Sequence, residues 1–379
     1  MKFGELKNLK IINYFPKKTM NLIFLSMMEL MRYKSYFFII YIFCLVFYNN
    51  RIYAEEINLN YEDNITTIGF GSCNDQTLSQ KFWQNINSYN PDIFLQIGDN
   101  VYASGDGLYD LAEAYRSLKN NIYYRNLTSN TKILGIWDDH DYGVNDGGNN
   151  YKYKHESKEL FLKFFNIKKN DERNYRDGLY KEYTLNYKDK NIQIIILDTR
   201  FFKSDFKLTD QKNVKGKERY IVDYSKNKTI LGYKQWIWLE EKLSQKFDIR
   251  IIVSSFQVLP LDHGWEKWGN FPLEQERLYS LVKNSSSYTF IISGDRHFGA
   301  IYKKQLNKST SIYELTSSSL NKPLKFSIKE QDSMQLGQLI SEANFGLISI
   351  DWAKNKISLE LKSPNQKGSN SLLRHELSF

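Results

Sequence analysis

The chain has 379 residues, of which 41% are hydrophobic and 15% aromatic, so it can bury a sizeable core as one large domain or two small ones. Its net charge of +9 comes from 52 basic and 43 acidic residues, but no dense run of Lys and Arg marks a nucleic-acid-binding surface. The charge reflects either lysines scattered over the surface, which we favour, or a preference for an anionic substrate. We find no internal repeat and no clean linker, and we predict an N-terminal extension at residues 1–54 and a single domain at residues 55–379.

The N-terminal extension has the layout of a secretory signal peptide. A basic stretch at residues 31–34 precedes an apolar run at residues 36–48, and Ala54 supplies a small residue for cleavage. We hypothesise that translation starts at Met31. The apolar run is shorter than the ~20 residues that usually span a bilayer, yet an uncleaved membrane anchor stays open as an alternative. The extension therefore predicts a secreted or periplasmic protein, or one attached to a membrane through this segment.

In the first half of the chain, apolar runs typical of strands alternate with apolar positions at helical spacing. This alternation predicts a sheet with at least some parallel pairing. Strands are predicted at residues 66–71, 92–97, 132–136, 180–187, 192–198, 250–255, 288–293, 311–316, 346–352 and 356–361. Helices are predicted at residues 78–86, 108–119, 155–165 and 232–245. We expect an irregular surface insertion at residues 203–228, an aromatic loop at residues 259–271 and a frayed tail from Ser363.

The strand predicted at residues 132–136 leads into a concentration of charge, Asp138, Asp139, His140 and Asp141. Neighbouring carboxylates raise each other's pKa and resist burial, and a bound cation removes that cost. This stretch alone fits a metal site and a solvated acidic turn about equally well.

Three other predicted strands end in the same way, in Asp99, in Asp295 with His297, and in Cys73. A lone cysteine after a strand is more often a small buried residue than a ligand, but its place in this series reverses that preference. We do not expect Cys73 to form a disulfide with Cys44, the other cysteine, which lies in the predicted signal segment. Together the four strand ends favour a metal centre built on loops.

With these strand ends in view, the sequence resembles the PhoD-like (alkaline phosphatase D) branch of the metallophosphatase superfamily, which includes the calcineurin-like and purple acid phosphatase-like proteins. The resemblance runs from about residue 66 to at least residue 319. It implies an α/β (α+β) fold, a four-layer β-sandwich of two mixed sheets flanked by helices, with metals at the loops of one end. The matching blocks are residues 71–73, 98–102, 137–141, 197–200, 235–239 and 293–297.

The resemblance also implies the ligands of a dinuclear centre. Asp99 would bridge two metals, with Tyr102 and Cys73 on a ferric ion and Asp139 on the second metal. Thiolate and phenolate ligands fit Fe³⁺, and an oxygen-rich shell with few histidines fits Ca²⁺ better than zinc. The full implied set is Cys73, Asp99, Tyr102, Asp139, Asp295 and His297.

One position departs from the pattern of the superfamily. Many members carry a His ligand after the strand equivalent to residues 250–255, where this chain has Gln257. Gln257 could hydrogen-bond a metal-bound water, or the site could use one imidazole fewer. Asn145 is a candidate contact to a metal or to phosphate, and His263 could shape the substrate pocket.

We therefore expect metal-dependent hydrolysis of phosphate monoesters or diesters by a metal-bridging hydroxide, with no nucleic-acid partner. Asp99 would act with His140, which would protonate the leaving group, and with Arg200 or Arg296, which could clamp the phosphate. For Arg200 a structural ion pair is an equal alternative. A catalytically idle relative that binds a ligand through the same loops and a metal-dependent nuclease are the rival functions.

Overall fold

The computed structural model describes residues 54–59, 65–103, 107–211, 214–324, 330–368 and 370–379. The predicted signal segment, the proposed start at Met31 and Cys44 lie outside the described residues. Within the described ranges, no helix is both long enough and apolar enough to cross a membrane.

The strands and helices alternate along the first half of the described chain. The strands are β1 Glu55–Asn58, β2 Ile65–Gly71, β3 Ile93–Ile97, β4 Lys132–Ile136, β5 Lys181–Tyr187, β6 Lys190–Ile196, β7 Lys207–Leu208, β8 Tyr220–Ile221, β9 Ile249–Val253, β10 Tyr288–Ser293, β11 Gly299–Gln305, β12 Ser311–Ser317, β13 Gln335–Ile340, β14 Phe345–Asp351, β15 Lys356–Lys362 and β16 Ser371–Ser378. The α-helices are α1 Phe82–Asn87, α2 Leu108–Asn120, α3 Ile122–Asn130, α4 Asp139–Tyr142, α5 Lys154–Phe164, α6 Gly232–Ser244 and α7 Pro272–Lys283. Short 3₁₀ helices lie at Glu172–Asn174 and Trp268–Asn270.

Two mixed sheets form the centre of the fold. The larger sheet has the order β1-β5-β6-β9-β10-β12-β11-β13, and β6, β9, β10 and β12 run parallel within it. The smaller sheet has the order β16-β15-β14-β2-β3-β4, and β2, β3 and β4 run parallel. The predicted architecture of two mixed sheets with flanking helices is confirmed.

Successive side chains of a strand point to opposite faces of its sheet. This alternation explains the four layers of the fold, which are two sheets packed together and helices on each outer face. Leu95 and Ile251 lie in the core between the sheets, while their neighbours Phe94 and Ile252 face outward. The outward residues of the larger sheet pack with α6 and α7, and those of the smaller sheet pack with α1, α2 and α3. Strands buried on both faces are almost wholly apolar, which made them easy to predict.

The carboxyl ends of the parallel strands of both sheets meet at one edge of the sandwich. Ser72, after β2, forms an isolated bridge with Ser318, after β12. Asp138, after β4, accepts a hydrogen bond from the Ser255 hydroxyl, after β9, at 2.6 Å. Loops from both sheets therefore share a single edge, which is where open α/β sheets place ligand sites.

The C-terminal tail differs from the prediction. Residues 371–378 are not frayed but form β16, which pairs antiparallel with β15 over its length. Leu377 is buried in the core between the sheets and Leu373 packs against it. The polar residues between these leucines concealed the strand pattern in the sequence.

Helix α7 was missed for a different reason. It starts at Pro272, a residue favoured at the first helical position. It buries only one face, through Leu278, Tyr279 and Val282, and its other positions are mixed in character. The predicted aromatic loop ends at residue 271, and no element is predicted for the residues of α7.

Glu314 of β12 is a buried carboxylate that holds the chain after β9. Its oxygens accept hydrogen bonds from the backbone N–H groups of Val258 at 3.0 Å and Leu259 at 2.6 Å, and from the Ser293 hydroxyl at 2.5 Å. Burial raises the pKa of Glu314 to about 7, although these hydrogen bonds favour the charged form.

A Glu314→Gln variant should change how stability depends on pH. A raised carboxyl pKa contributes stability that is complete below the ordinary value of 4.5 and is lost as the pH rises through 7. As the pH rises from 4.5 to 7, the unfolding free energy of the wild type should therefore fall relative to that of the Glu314→Gln variant. Urea unfolding across this range measures it, with exposed Glu159→Gln as the control. Parallel pH profiles for the wild type and Glu314→Gln would contradict the assignment.

Candidate metal centre

Four of the predicted ligands sit in an unusual backbone conformation. Cys73 has φ 56°, Asp99 φ 48°, Asp295 φ 70° and His297 φ 56°, all in the left-handed region. Residues other than glycine adopt this region rarely, and it persists only where surrounding contacts hold it in place. Each residue lies in a tight turn directly after β2, β3 or β10, so the turns present these side chains at the shared edge.

One group of side chains, the cysteine cluster, consists of Cys73, Asp99, Tyr102 and His297. The Tyr102 hydroxyl donates to Asp99 Oδ2 at 2.8 Å and lies 3.3 Å from His297 Nε2. The Cys73 thiol donates to the same Asp99 oxygen at 3.4 Å. Candidate ligand atoms of Cys73, Asp99 and His297 all lie within 4.8 Å of one another. One cation could therefore contact sulfur, oxygen and nitrogen together.

A second group, the carboxylate cluster, consists of Asp138, Asp139 and Asp295, whose oxygens also lie within 4.8 Å of one another. Asp99 and Asp139 form a further such group with His140, which links the two clusters. Asp138 was noted within the acidic stretch but was not among the predicted ligands. The signal for it was its position beside Asp139 at the end of β4.

A surrounding shell fixes the orientation of these side chains. His297 Nδ1 donates to the carbonyl of Lys322 at 2.5 Å, which leaves Nε2 facing the cysteine cluster. Asp141 accepts the backbone N–H groups of Asp138 at 2.6 Å and Asp99 at 3.2 Å, so it braces two loops and is itself buried. Such partners set the tautomer and direction of metal ligands.

The two clusters bury more negative charge than the protein's own cations balance. Burial and the charge of Asp139 raise the pKa of Asp99 well above its usual range, and burial and Asp138 do the same for Asp295. Burial opposes ionisation of Asp139 too, but the charges of Arg200 and His140 outweigh it and lower the pKa of Asp139 to about 2. One buried arginine cannot neutralise four carboxylates, so a cation is needed to make their ionised forms favourable.

Buried oxygen atoms without hydrogen-bond partners also favour a bound cation. Asn100 Oδ1, Asp138 Oδ2 and Asp139 Oδ1 are buried and have no hydrogen-bond partner among the described residues. A buried oxygen without a partner is costly and needs an explanation such as an ion or a water. The residues present therefore fit a metal centre.

Arg200 lies beneath the carboxylate cluster and is fully buried. Its Nε donates to Asp138 Oδ1 at 2.5 Å, and its Nη2 lies 2.7 Å from Glu266 Oε2. Lys203 also pairs with Glu266, at 3.1 Å. A phosphate would have to compete with two carboxylates for this guanidinium, which is the arrangement of the structural ion pair.

Arg296, the other candidate clamp, pairs with Glu330 at 2.6 Å. Its guanidinium carbon lies 5.7 Å from the centre of the Trp265 ring and 5.2 Å from that of Phe298. Arg296 is thus held by a carboxylate and two aromatic rings, although its backbone position lies between two predicted ligands.

The side chains of Gln257 and His263 form a hydrogen bond with each other. The Gln257 amide nitrogen donates to Tyr302 and Thr316 at 3.1 and 3.0 Å, and its oxygen lies 3.1 Å from His263 Nε2. Both ends of the Gln257 amide are therefore used inside the protein. At the end of β9 it is Ser255 that contacts the carboxylate cluster, through Asp138.

Asn145 is exposed, whereas its neighbour Asp146 contacts a residue of the carboxylate cluster. The Asp146 backbone N–H donates to Asp139 Oδ2 at 2.7 Å. The Asp146 carboxylate is in turn held by Arg219 at 2.7 Å and by the Tyr220 hydroxyl at 2.6 Å. The role of Asn145 as a contact to a metal or to phosphate stays a prediction.

The fold and this gathering of Cys, Asp, Tyr and His at the strand ends define a metallophosphatase-like protein. The model of the PhoD-like phosphatase family matches residues 68–355, more than half of the chain, and the protein belongs to that family. The family is described as one of phosphatases, which are phosphoester hydrolases.

Two solved structures are similar in fold. A structure of PhoD matches with a TM-score of 0.60 at 15% identity, covering 81% of this chain and 66% of that one. GAP50, the anchor in the inner membrane complex of Plasmodium, matches with a TM-score of 0.52 at 13% identity, covering 83% of this chain and 89% of that one. Among curated proteins, no sequence matches this chain. At these identities the structural matches establish the fold alone.

The two roles considered for Arg200 predict different results for an Arg200→Leu variant. Removing the guanidinium leaves Asp138 buried without an opposite charge and leaves Glu266 with Lys203 alone, so the free energy of unfolding should fall by about 3–5 kcal/mol. Urea unfolding measures this loss, with the exposed Arg125→Leu as the control. Wild-type stability together with a raised KM for a phosphate ester would instead favour the phosphate-clamp role.

Proposed function

We propose that this protein is a metal-dependent phosphoric ester hydrolase with two cation sites, Fe³⁺ in the cysteine cluster and Ca²⁺ in the carboxylate cluster. The observation that carries the proposal is the convergence of the two clusters on Asp99 and Asp139. Family membership supports the reaction class.

The donor chemistry supports the choice of cations. Cys73 and Tyr102 offer a thiolate and a phenolate on one side, a combination that favours a ferric ion over Ca²⁺. Asp138, Asp139 and Asp295 offer oxygen alone, which Ca²⁺ prefers. When bound, such cations lower the pKa of water and neutralise charge on phosphoryl oxygens.

The protein's own residues position the substrate and move the leaving-group proton. Asp99 lies between the clusters and accepts the backbone N–H of His140 at 3.2 Å, which ties the start of α4 to the centre. The His140 ring packs on Tyr102 with ring centres 4.2 Å apart, and it is only partly buried. His140 can therefore reach a bound ester and donate a proton to the departing alkoxide.

A positive charge at the edge of the cysteine cluster suits an anionic substrate. Lys322 Nζ lies 3.5 Å from the centre of the Tyr102 ring and pairs with Asp75 at 3.2 Å. Its side chain keeps 39% of its exposure, so the charge remains available at the surface. Arg200, in contrast, lies below Asp138 and holds its carboxyl group in place; burial raises the pKa of Asp138 to about 8, and the charge of Arg200 opposes that rise.

The rival functions have less support. An idle binding protein would have no need for a complete ligand set, and orphaned oxygens at Asp138 and Asp139 would then be an uncompensated cost. A nuclease would need a basic surface for the phosphate backbone, and the sequence has no dense basic run. Secretion, or anchoring through residues 36–48, remains a prediction.

Replacing Asp99 with Asn should remove metal and activity together, because the amide brings no negative charge to either cluster. Elemental analysis gives the iron and calcium content of the purified protein, and chromogenic monoester and diester substrates give the activity, with and without added Ca²⁺. Asp189→Asn, in the exposed β5–β6 turn, is the matched control. Full turnover with wild-type metal content in Asp99→Asn would refute the assignment. A metal-loaded wild type inactive on both substrates would favour the idle binder.

The role of His140 predicts that a His140→Asn variant depends strongly on the leaving group. Loss of a general acid should slow hydrolysis of an alkyl phosphate by about 10²–10⁴-fold. A nitrophenyl ester should be affected much less, because its leaving group needs little protonation. Steady-state kinetics on the two substrates, with metal content checked, make the comparison. Equal losses on both esters would remove His140 from this role.

A further inference from the structure

Ser318 stands between two residues of the cysteine cluster and is fully buried. It follows directly after β12. Its hydroxyl oxygen lies 2.9 Å from Cys73 Sγ and 2.7 Å from the backbone nitrogen of His297. The Ser318 carbonyl accepts the Asn344 amide at 3.0 Å, which holds the residue in place. One hydroxyl therefore touches the loops of two candidate ligands at once.

The hydrogen bonds determine where the Ser318 proton points. The backbone N–H of His297 can only donate, so it uses a lone pair of the Ser318 hydroxyl. The single proton of that hydroxyl is left for another acceptor. Among the hydrogen bonds of the described residues, Cys73 Sγ is the acceptor within reach.

A second serine beside the same sulfur provides a contrast. Ser72 Oγ lies 3.5 Å from Cys73 Sγ, but it donates its proton to the carbonyl of Ser317 at 3.2 Å. Both serines are buried and adjoin the sulfur. Only Ser318 is therefore arranged to donate a short hydrogen bond to it.

We infer that Ser318 is a positioning residue whose hydroxyl donates to the Cys73 thiolate when the cysteine cluster holds a metal. The inference rests on the metal centre of the proposed function, since the thiolate is the form of cysteine that binds metals. A hydrogen bond to sulfur withdraws electron density from it and aims its remaining lone pairs. Hydrogen bonds to ligand sulfur tune metal sites in this way.

Cobalt substitution reports on this bond without relying on catalysis. Co²⁺ bound by a thiolate gives a sulfur-to-metal charge-transfer band in the near ultraviolet, and its energy rises when the sulfur lone pair is stabilised. In the full-length chain loaded with Co²⁺, a Ser318→Ala variant should move this band to longer wavelength. Its Co²⁺ dissociation constant should rise roughly 10–100-fold. Ser72→Ala removes a hydroxyl next to the same sulfur and should leave the band in place.

The outcomes separate this inference from the proposed function. Band positions that agree between the wild type and a folded Ser318→Ala variant would overturn the inference, even in an active phosphatase. Equal shifts in Ser72→Ala and Ser318→Ala, or a change in the visible d–d bands that signals loss of a ligand, would also overturn it. A shift confined to Ser318→Ala supports it, including in a protein that hydrolyses no phosphate ester, where the proposed function alone would fail.

Discussion

Negative charge buried at the meeting point of two sheets is the constraint on which the rest of this structure depends. Asp99, Asp138 and Asp139 are almost completely removed from solvent, and Asp295 lies beside them. Carboxylates pay a large free-energy cost when they leave water unless opposite charge accompanies them. Arg200 supplies one such charge from below, through Asp138. Bound cations would supply the remaining compensation for the ionised carboxylates, and this is why we interpret the site as one that holds cations.

The backbone makes that concentration of charge possible. Parallel strands from both sheets end at the same edge, and the residues that follow them turn sharply through left-handed conformations. Helix α4 begins at Asp139, so its first N–H groups face the acidic side chains. Outside this edge the sandwich is ordinary, with apolar side chains between the sheets and helices on both outer faces. Left-handed non-glycine residues also occur in turns elsewhere, such as Asn90 and Lys188, but four of the nine in the described part of the chain are proposed ligands at this edge.

Local patterns in the sequence were enough to predict the buried strands and the loops that carry Cys73, Asp99 and His297. Each apolar run covers a whole strand and ends in a polar turn, so the sequence itself indicates where the strand begins and ends. Contacts between distant loops could not be predicted in this way. Ser255 looked like the end of a strand, yet it binds Asp138, and Glu266 lay in an aromatic loop, yet it pairs with Arg200. Nor could the sequence predict that the backbone N–H of Asp146 donates to Asp139, because this contact depends on backbone angles that only the folded chain defines.

The distribution of the cluster residues along the chain has a consequence for how the protein matures. Cys73 and Ser318 are 245 positions apart, and His297 comes almost as late. Closing so long a loop is entropically costly and slow, and contacts of this range form late in folding. During synthesis the ribosome releases Cys73, Asp99 and Asp139 long before their partners exist. Metal acquisition should therefore be a terminal step of biogenesis, after both sheets have docked.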